Sequence, residues 1–212
     1  GSEMCIRDRT ATVRYDGSSV LAKGHKWAFF PSIAGAWRVS EEAFMKDFTW
    51  LDNLKLRTSW GISGNSAVSA YQTGGCLGST MYVFDVNGNE VGQYGYWPQA
   101  IPNHDLSWEK TATTNIGLDF GFLNNRINLT VDWYLQKTFD LLMRKQIPVT
   151  NGYLSTWSNV GKTKNTGIEV VLNTQNIVKK NFSWSSDLTF SKNKEEIAVS
   201  YTHLTLPTIL RV

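Results

Sequence analysis

The sequence predicts an all-β protein, a transmembrane antiparallel up-and-down β-barrel with about seven recognisable strands. Three observations support this fold class. Long segments alternate apolar and polar side chains, the polar side is rich in Asn, Asp, Lys, Arg and Ser, and aromatic residues lie near segment ends. A strand that separates lipid from a hydrated lumen has these properties, whereas an amphipathic helix would space its apolar residues three and four apart.

The first three predicted strands begin at Thr10, Lys26 and Leu54. TATVRYD is a short alternating segment, and KWAFFPSIAGAWRVS places large apolar side chains, among them Trp27 and Trp37, on one side. LKLRTSWGI sets Leu, Trp and Ile against Lys, Arg and Ser. Because successive side chains of a strand point to opposite faces, each segment is predicted to be a two-faced strand.

The remaining four strands repeat the pattern over residues 114–122, 127–136, 167–175 and 182–190. INLTVDWYLQ, which begins at Ile127, is the clearest, with Ile, Leu, Val, Trp and Leu on one face and Asn, Thr, Asp, Tyr and Gln on the other. Several strands persist for nine or more residues, and crossing a bilayer at a tilt takes about 9–11. A soluble antiparallel sandwich also alternates and remains the alternative.

The connections between the predicted strands alternate in length. Tight turns at 123–125 and 178–181 fall on one side of the sheet, and the long loops 65–105 and 143–159 fall on the other. The connection 40–53 lies on the side of the tight turns and carries a short helix-like segment, EEAFMKD. Outer-membrane barrels combine short periplasmic turns with long outer loops, which favours placing the two long loops outside.

Both ends of the chain are predicted to derive from sequencing adapters rather than from a gene. Residues 199–208 back-translate to GTC TCT TAT ACA CAT CTG ACG CTG CCG ACG, which contains most of the transposon mosaic end CTGTCTCTTATACACATCT. GSEMCIRDR back-translates to the opposite adapter running into the complementary mosaic end. Residues 1–9 and 199–212 are therefore expected to be artefactual, and residues 10–198 to be an internal piece of a longer gene.

The composition of residues 10–198 argues against several kinds of site. Cys76 is the single cysteine there, and His25 and His104 are the two histidines, since Cys5 and His203 lie in the adapter-derived ends. This set allows no internal disulfide and no metal cluster of the required spacing, so neither a metal nor a cofactor is expected. The formal net charge of +3 falls to +2 without the ends, too small and too evenly spread to predict nucleic-acid binding.

Four blocks of the chain share their order and spacing with a known family. They are FFPSIAGAWRVSEEAFMK, LDNLKLRTSWGISGN, IPNHDLSWEKTATTNIGLDFGFLNNRINLTVDWY and NVGKTKNTGIEVVLNTQ. These blocks resemble the barrel region of TonB-dependent outer-membrane receptors, most closely the SusC/RagA-type nutrient importers of Bacteroidota. The resemblance implies a barrel of roughly 22 strands with a plugged lumen. About seven of those strands would be present here, as a partial barrel forming an open curved sheet.

The resemblance also implies a location and partners. The protein would lie in the lipid bilayer of a Gram-negative outer membrane and import oligosaccharides or peptides. Energy would come from the TonB complex, and a SusD-like lid lipoprotein would help to capture the glycan or peptide. No segment here matches the plug domain or the TonB-contacting box, so the energy-coupling residues of the family are not assigned to any position. As the 212-residue chain stands, we expect it not to function and to aggregate in water.

No catalytic constellation stands out, and the protein is not expected to be an enzyme. His104, Asp105 and Glu109 of NHDLSWEK are interpreted as packing where a loop enters a strand, and Cys76 as an ordinary loop thiol without a neighbouring histidine. The candidate substrate-binding residues are aromatics of the two long loops, because flat rings with a polar edge suit sugars and peptide side chains. They are Tyr82, Tyr94, Tyr96, Trp97, Tyr153 and Trp157.

Two other classes of protein, a different outer-membrane barrel and a soluble β-sandwich, share the strand pattern. A passive porin or a barrel-based surface adhesin would show the same alternation without a plug domain or a TonB box, so the upstream sequence distinguishes either from an importer. A soluble carbohydrate-binding β-sandwich would bury its apolar faces between two layers instead of exposing one of them to lipid. The three-dimensional arrangement of the strands separates this last hypothesis from the barrel.

Overall fold

Seven long strands form a single antiparallel sheet in the computed structural model, which describes residues 6–48 and 50–198. The seven strands are β1 (Arg7–Gly17), β2 (Trp27–Arg38), β3 (Leu51–Asn65), β6 (Glu109–Phe122), β7 (Ile127–Phe139), β10 (Lys162–Lys179) and β11 (Phe182–Ala198). They lie in the sheet in this order, so that each pairs with the next of the seven along the chain. The predicted count of barrel strands and the up-and-down order are confirmed. No helix in the described part of the chain is long and apolar enough to cross a membrane, a finding that concerns helices alone.

The ends of the sheet bear on the predicted adapter segments. β1 begins at Arg7, so the last three residues of the segment 1–9 pair with β2. Residues 1–5 and 199–212 lie outside the described residues. β11 continues through FSKNKEEIA to Ala198. The sequence pattern predicted that this strand ends at residue 190 and runs out into a charged turn, and that boundary is wrong.

The register aligns apolar residues across the whole sheet. Leu56 of β3 lies opposite Leu118 of β6, which lies opposite Val131 of β7, and the row continues through Val170 to Phe190. Residues directly opposite in antiparallel strands share a face, so this row defines an outward face, and the alternate residues define an inward face. The predicted face assignments of these strands are confirmed.

The outward face is not covered by a second layer. Val13 is 70% exposed, Ile33 57% and Leu188 65%, although all three are large apolar side chains. Such a surface would be unfavourable in water, since contiguous exposed apolar patches mark contact with lipid or with a partner. The sandwich hypothesis requires these side chains to be buried, and it is wrong for this sheet.

The apolar part of the outward face shifts steadily along the strands. In β2 it runs from Trp37 toward the long-loop end as far as Trp27, whereas in β11 it runs from Phe190 toward the tight-turn end as far as Phe182. Trp37 and Phe190 nevertheless belong to the same register row. The strands are therefore inclined to the apolar band, as barrel closure requires. Aromatic pairs mark both limits of the band, Tyr15 with Trp27 at 5.0 Å and Trp50 with Phe122 at 5.7 Å between ring centroids.

The predicted tight turn between β6 and β7 uses three consecutive left-handed residues. The φ angles of Leu123, Asn124 and Asn125 are 55°, 56° and 56°. The turn is tied to both flanking strands, because the Asn125 amide donates to Asp52 Oδ2 at 3.0 Å and Arg126 Nη2 donates to the carbonyl of Asn176 at 2.9 Å. Asp52 and Asn176 are bulged positions of β3 and β10. The tight-turn end of the sheet is thus held by backbone geometry more than by side-chain packing.

Replacement of Asn124 by valine should destabilise this turn. A β-branched residue in the left-handed region costs about 1–2 kcal/mol, whereas Asn124→Gly relieves strain at the same position and should be neutral or slightly stabilising. The measurement is the thermal unfolding midpoint of the complete receptor in detergent. Equal midpoints for the two variants would show that the turn is not formed as described.

The two long connections contain a second sheet that the sequence pattern did not predict. Its strands are β4 Cys76–Val86, β5 Asn89–Ile101, β8 Leu142–Gln146 and β9 Ser155–Asn159, in the order β4-β5-β9-β8. The interpretation of 65–105 and 143–159 as plain loops is therefore wrong. A signal was present, since Asn87-Gly88, with φ of 56° and 77°, is the dipeptide that favours a two-residue hairpin turn. The predicted helix-like segment in 40–53 forms only two 3-10 turns, Val39–Glu41 and Ala43–Met45.

A small hydrophobic core fixes the long connections to the top of β2. The Trp108 indole N–H donates to the carbonyl of Lys26 at 2.9 Å, and its ring meets Phe30 edge-on with centroids 5.3 Å apart. The Ala22 amide donates to the carbonyl of Leu106 at 3.1 Å. The buried members of this loop core are Leu21, Ala22, Ala28, Phe30, Val68, Leu106 and Trp108.

Candidate functional site

Four of the six predicted binding aromatics lie on the β4–β5 hairpin, on its two different faces. Tyr94 and Tyr96 share one face with Leu77 and Met81, as the register requires. Tyr94 is 69% exposed and Tyr96 71%, which makes them among the most exposed aromatic side chains of the described residues. Two phenol rings separated by one residue along a strand form a flat surface with polar edges, suited to a sugar or a peptide side chain.

Tyr82 and Trp97 lie on the other face of the hairpin and pack onto glycines. A Cβ on Gly78 would lie 2.6 Å from Trp97 Cε2, and a Cβ on Gly95 would lie 2.8 Å from Tyr82 Cε2. These cross-strand contacts leave Trp97 half-buried, whereas Tyr82 remains exposed. Trp97 therefore contributes to the hairpin's own packing, and Tyr82 combines packing with an accessible surface.

Tyr153 and Trp157 belong to the second long connection and are both half-buried. Trp157 packs against the loop core, and its carbonyl accepts a hydrogen bond from Asn103 Nδ2 at 2.8 Å. The structure thus divides the six predicted residues into three exposed rings, Tyr82, Tyr94 and Tyr96, and three half-buried ones, Trp97, Tyr153 and Trp157. Trp157 fits a packing role better than a binding role.

The two long connections are joined into one body by polar contacts as well as by the core. β5 and β9 pair in parallel, with Ala100 opposite Ser155. The Asn159 side chain accepts a hydrogen bond from the Ser107 amide at 2.8 Å and donates to the carbonyls of Ser107 and Asp140 at 2.8 and 2.9 Å. A hairpin attached in this way is presented by a rigid base, which favours precise binding.

The inward face below the loops carries a charged cluster. The Arg57 guanidinium binds Asp119 through two bonds of 2.9 Å and reaches Asp132 Oδ1 at 3.0 Å. The side chains of Arg57, Asp119 and Asp132 are between 24% and 37% exposed. Gly117 leaves the space for this cluster, since a Cβ there would collide with Asp132 and lie 2.8 Å from the Arg57 guanidinium. Sequence analysis placed all three charged residues on polar faces but did not predict that they pair.

A shallow depression of about 520 Å³ surrounds this cluster on the inward face. Hydroxyl, amide and carboxylate groups line it, including those of Thr10, Asn115, Tyr134 and Glu169. Tyr134 lies flat over Gly167, where a Cβ would lie 2.5 Å from its ring. These polar groups are chemically suited to a hydrated surface or to a polar partner.

Residues 105 and 109 of the NHDLSWEK segment make structural hydrogen bonds. Glu109 accepts hydrogen bonds from Asn65 Nδ2 at 3.2 Å and from the Leu142 amide at 2.9 Å, while the Asp105 amide donates to Asn103 Oδ1 at 3.0 Å. Cys76 is a free thiol whose nearest polar partner is Gln99 Oε1 at 3.8 Å. Among the residues that the structure describes, no group of three or more His, Cys, Asp or Glu side chains could hold a metal ion.

Glu42, in the connection after β2 at the tight-turn end, is held to the sheet by hydrogen bonds. Glu42 Oε1 accepts hydrogen bonds from Trp37 Nε1 at 2.8 Å and from Arg7 Nε at 2.9 Å. The Trp37 hydrogen bond, followed by the Arg7 guanidinium, holds the pKa of Glu42 below its ordinary value. This contact ties the connection after β2 to the sheet.

With the fold and these surfaces defined, the comparisons with known proteins become informative. Residues 9–211 match the family described as "TonB dependent receptor-like, beta-barrel". The chain belongs to this family. The family is one of TonB-dependent receptors, and the predicted SusC/RagA-like relationship is confirmed by the relatives and structures that follow.

The curated relatives are TonB-dependent receptors that are far longer than this chain. The chain is 41% identical over 199 residues to the TonB-dependent receptor SusC of Bacteroides thetaiotaomicron, covering 89% of the chain and 19% of SusC. It is 40% identical over 188 residues to the TonB-dependent receptor P26 of Formosa agariphila, with the same coverage of 89% and 19%. The chain therefore spans about a fifth of the length of these receptors.

Solved structures show the same arrangement of strands. The RagAB peptide importer in its closed-closed state superposes with a TM-score of 0.83 at 30% identity, covering 95% of this chain and 22% of that one. In its open-open state the TM-score is 0.78 at 30% identity, with coverage of 96% and 22%. These superpositions support the arrangement of the strands described above.

Proposed function

We propose that this chain is part of an outer-membrane importer that moves bulky nutrients, oligosaccharides or peptides, across the outer membrane. The observation that carries the proposal is the two-faced sheet, whose outward side carries a band of exposed apolar side chains and whose inward side is charged and hydroxylated. Lipid on one side and a hydrated lumen on the other account for both surfaces. Membership of the TonB-dependent receptor family supports active import over a passive pore.

The proposal includes two protein partners. A TonB complex would supply energy through a plug domain, and a SusD-like lid lipoprotein would close the outer side, in keeping with the likeness to the two-component RagAB importer. No bond chemistry is proposed: the Glu109 carboxylate accepts two structural hydrogen bonds, and the Cys76 thiol donates to the Gln99 side chain. The plug would rest against the inward face around Arg57.

Energy dependence gives the most direct test of this function. A strain that carries the complete receptor gene should grow on an oligosaccharide digest or on a peptide digest as its limiting nutrient. Growth should be lost when either the receptor gene or the tonB gene is deleted. Uptake that survives loss of TonB would contradict active import and would support the passive porin, while growth unaffected by loss of the receptor gene would support the adhesin.

The hairpin face carrying Tyr94 and Tyr96 is proposed to contact the incoming substrate. The double variant Tyr94→Ala/Tyr96→Ala should raise the half-saturating substrate concentration for uptake about tenfold, since each stacked ring contributes about 0.5–1.5 kcal/mol. Phe84→Ala is a matched control, because Phe84 is 55% exposed on the opposite face of the same hairpin. An equal effect of both changes would mean that the hairpin acts only through its folding.

A further inference from the structure

Five lysines lie together on the outward face at the long-loop end of three neighbouring strands. We call this group the lysine belt. Lys137 lies directly opposite Lys164, and Lys192 lies opposite the outward residue Ile168. All five side chains are exposed. The lysine belt consists of Lys137 of β7, Lys162 and Lys164 of β10, and Lys192 and Lys194 of β11.

The lysine belt has a large excess of positive charge. Glu196 is the one acidic residue on the outward face of β7, β10 and β11, and its carboxylate lies 2.7 Å from Lys194 Nζ and 3.8 Å from Lys164 Nζ. Like charges directly opposite each other in a sheet are destabilising, and Lys137 and Lys164 form such a pair. Single lysines at a membrane interface need no explanation. Five within three strands indicate that a negatively charged group offsets their repulsion.

The position of the lysine belt along the strands matches one depth in the bilayer. A lysine on the lipid face is strongly unfavourable at the bilayer midplane but nearly neutral close to the membrane interface. The row that contains Lys137 of β7 reaches Glu196 in β11, four residues beyond Lys192. The belt therefore steps down by two outward-facing rows from β7 to β11, in the same direction as the apolar band. At the opposite end of these strands Lys179 is the one charged outward residue, beside apolar side chains and the hydroxyls of Thr174 and Ser186.

We propose that the lysine belt binds an outer-leaflet lipid whose headgroup carries two or more phosphates. This inference depends on the proposed function only for the placement of the sheet in an outer membrane. Lysine ammonium groups bind phosphate as point charges, and three strands spaced about 4.8 Å apart give a patch about 10 Å wide, enough for two phosphates. The acyl chains of such a lipid would lie along the apolar band directly below the belt.

The test measures lipid binding to the complete receptor in a neutral detergent, with diphosphoryl lipid A as the probe and native mass spectrometry as the readout. The variant Lys137→Gln/Lys164→Gln/Lys192→Gln should bind the probe roughly 100-fold more weakly at low salt, since each lysine near a charged surface contributes about fivefold. Lys179→Gln is the matched control, because it removes an outward lysine of β10 at the other end of the strand. It should bind as the unaltered receptor does.

Additional arms separate a lipid site from a site for free anions. Monophosphoryl lipid A should bind at least tenfold more weakly than the diphosphoryl form, and inorganic phosphate at millimolar concentration should not displace the lipid. Unchanged lipid binding by the triple variant, equal loss in Lys179→Gln, or displacement by inorganic phosphate would each overturn the proposal. Energy-dependent uptake is measured separately, so loss of lipid binding with normal uptake would contradict neither the family assignment nor the importer function.

Discussion

The substitution Trp108→Ala should release the long loops from the barrel wall. The indole is only 8% exposed, packs edge-on against Phe30 and donates a hydrogen bond to the Lys26 carbonyl. Truncating a buried tryptophan to alanine typically costs 3–5 kcal/mol. Because the loop core lies at the long-loop ends of the strands and involves only the first residues of β2, the loss should appear as local opening. We expect amide hydrogen exchange in residues 17–26 and 103–108 of the complete receptor to rise at least 100-fold.

Two matched variants make this result interpretable. Trp108→Phe keeps most of the ring packing and loses one neutral hydrogen bond of about 1 kcal/mol, so exchange should rise only about fivefold. Tyr94→Ala removes an exposed ring of the same connection and should leave exchange in these segments unchanged. If Trp108→Ala raised amide exchange in β7 and β10 to the same extent, the loop core would unfold together with the barrel strands. The description of a separate loop core would then be wrong.

The barrel strands could be predicted because lipid imposes a simple rule on them. In β7 each residue from Ile127 to Leu135 is either apolar and outward or polar and inward, and the pattern survives without knowledge of its neighbours. The turn at Asn124 and Asn125 was also predictable, since asparagine tolerates the left-handed conformation found there. These features depend on local chemistry and on the solvent on each side.

The second sheet could not be read in the same way, because its strands are held by contacts between distant parts of the chain. β5 meets β9 through only two residue pairs, and Asn159 fixes the connection by accepting from the Ser107 backbone. Neither contact has a local signature. The Asn87-Gly88 turn was the exception, a clear hairpin signal within a stretch that looked too long and too rich in glycine to be a strand pair.

The candidate site was predicted in outline only. The exposed rings of Tyr94 and Tyr96 could be expected from loop aromatics, but the packing of Trp97 on Gly78 and of Trp157 on the loop core depends on register and tertiary contacts. The Arg57 cluster shows the same limit, since its three residues come from three strands. Opposite charges on polar faces are common, and only the alignment of β3, β6 and β7 brings these together.

The substitution Arg57→Met should weaken the barrel wall by about 2 kcal/mol. Removing one partner of a fully buried ion pair costs about 3–5 kcal/mol. The side chains here are 24% to 37% exposed, which calls for a reduction by about half. Asp119 and Asp132 would then face each other without the guanidinium that they share. The measurement is the unfolding midpoint of the complete receptor in detergent, which should fall by several degrees.

Removal of the two carboxylates together with the arginine distinguishes charge pairing from simple loss of packing. The triple variant Arg57→Met/Asp119→Asn/Asp132→Asn should recover most of the lost stability, because no unpaired charge remains on the inward face. Arg14→Met is a control for an exposed pair, since Arg14 and Asp16 are 69% and 34% exposed, and it should change stability by less than about 0.5 kcal/mol. If the triple variant were no more stable than the single one, the arginine would act through its packing. Gly117 would then be needed only for space, and the charged cluster would have no stabilising role of its own.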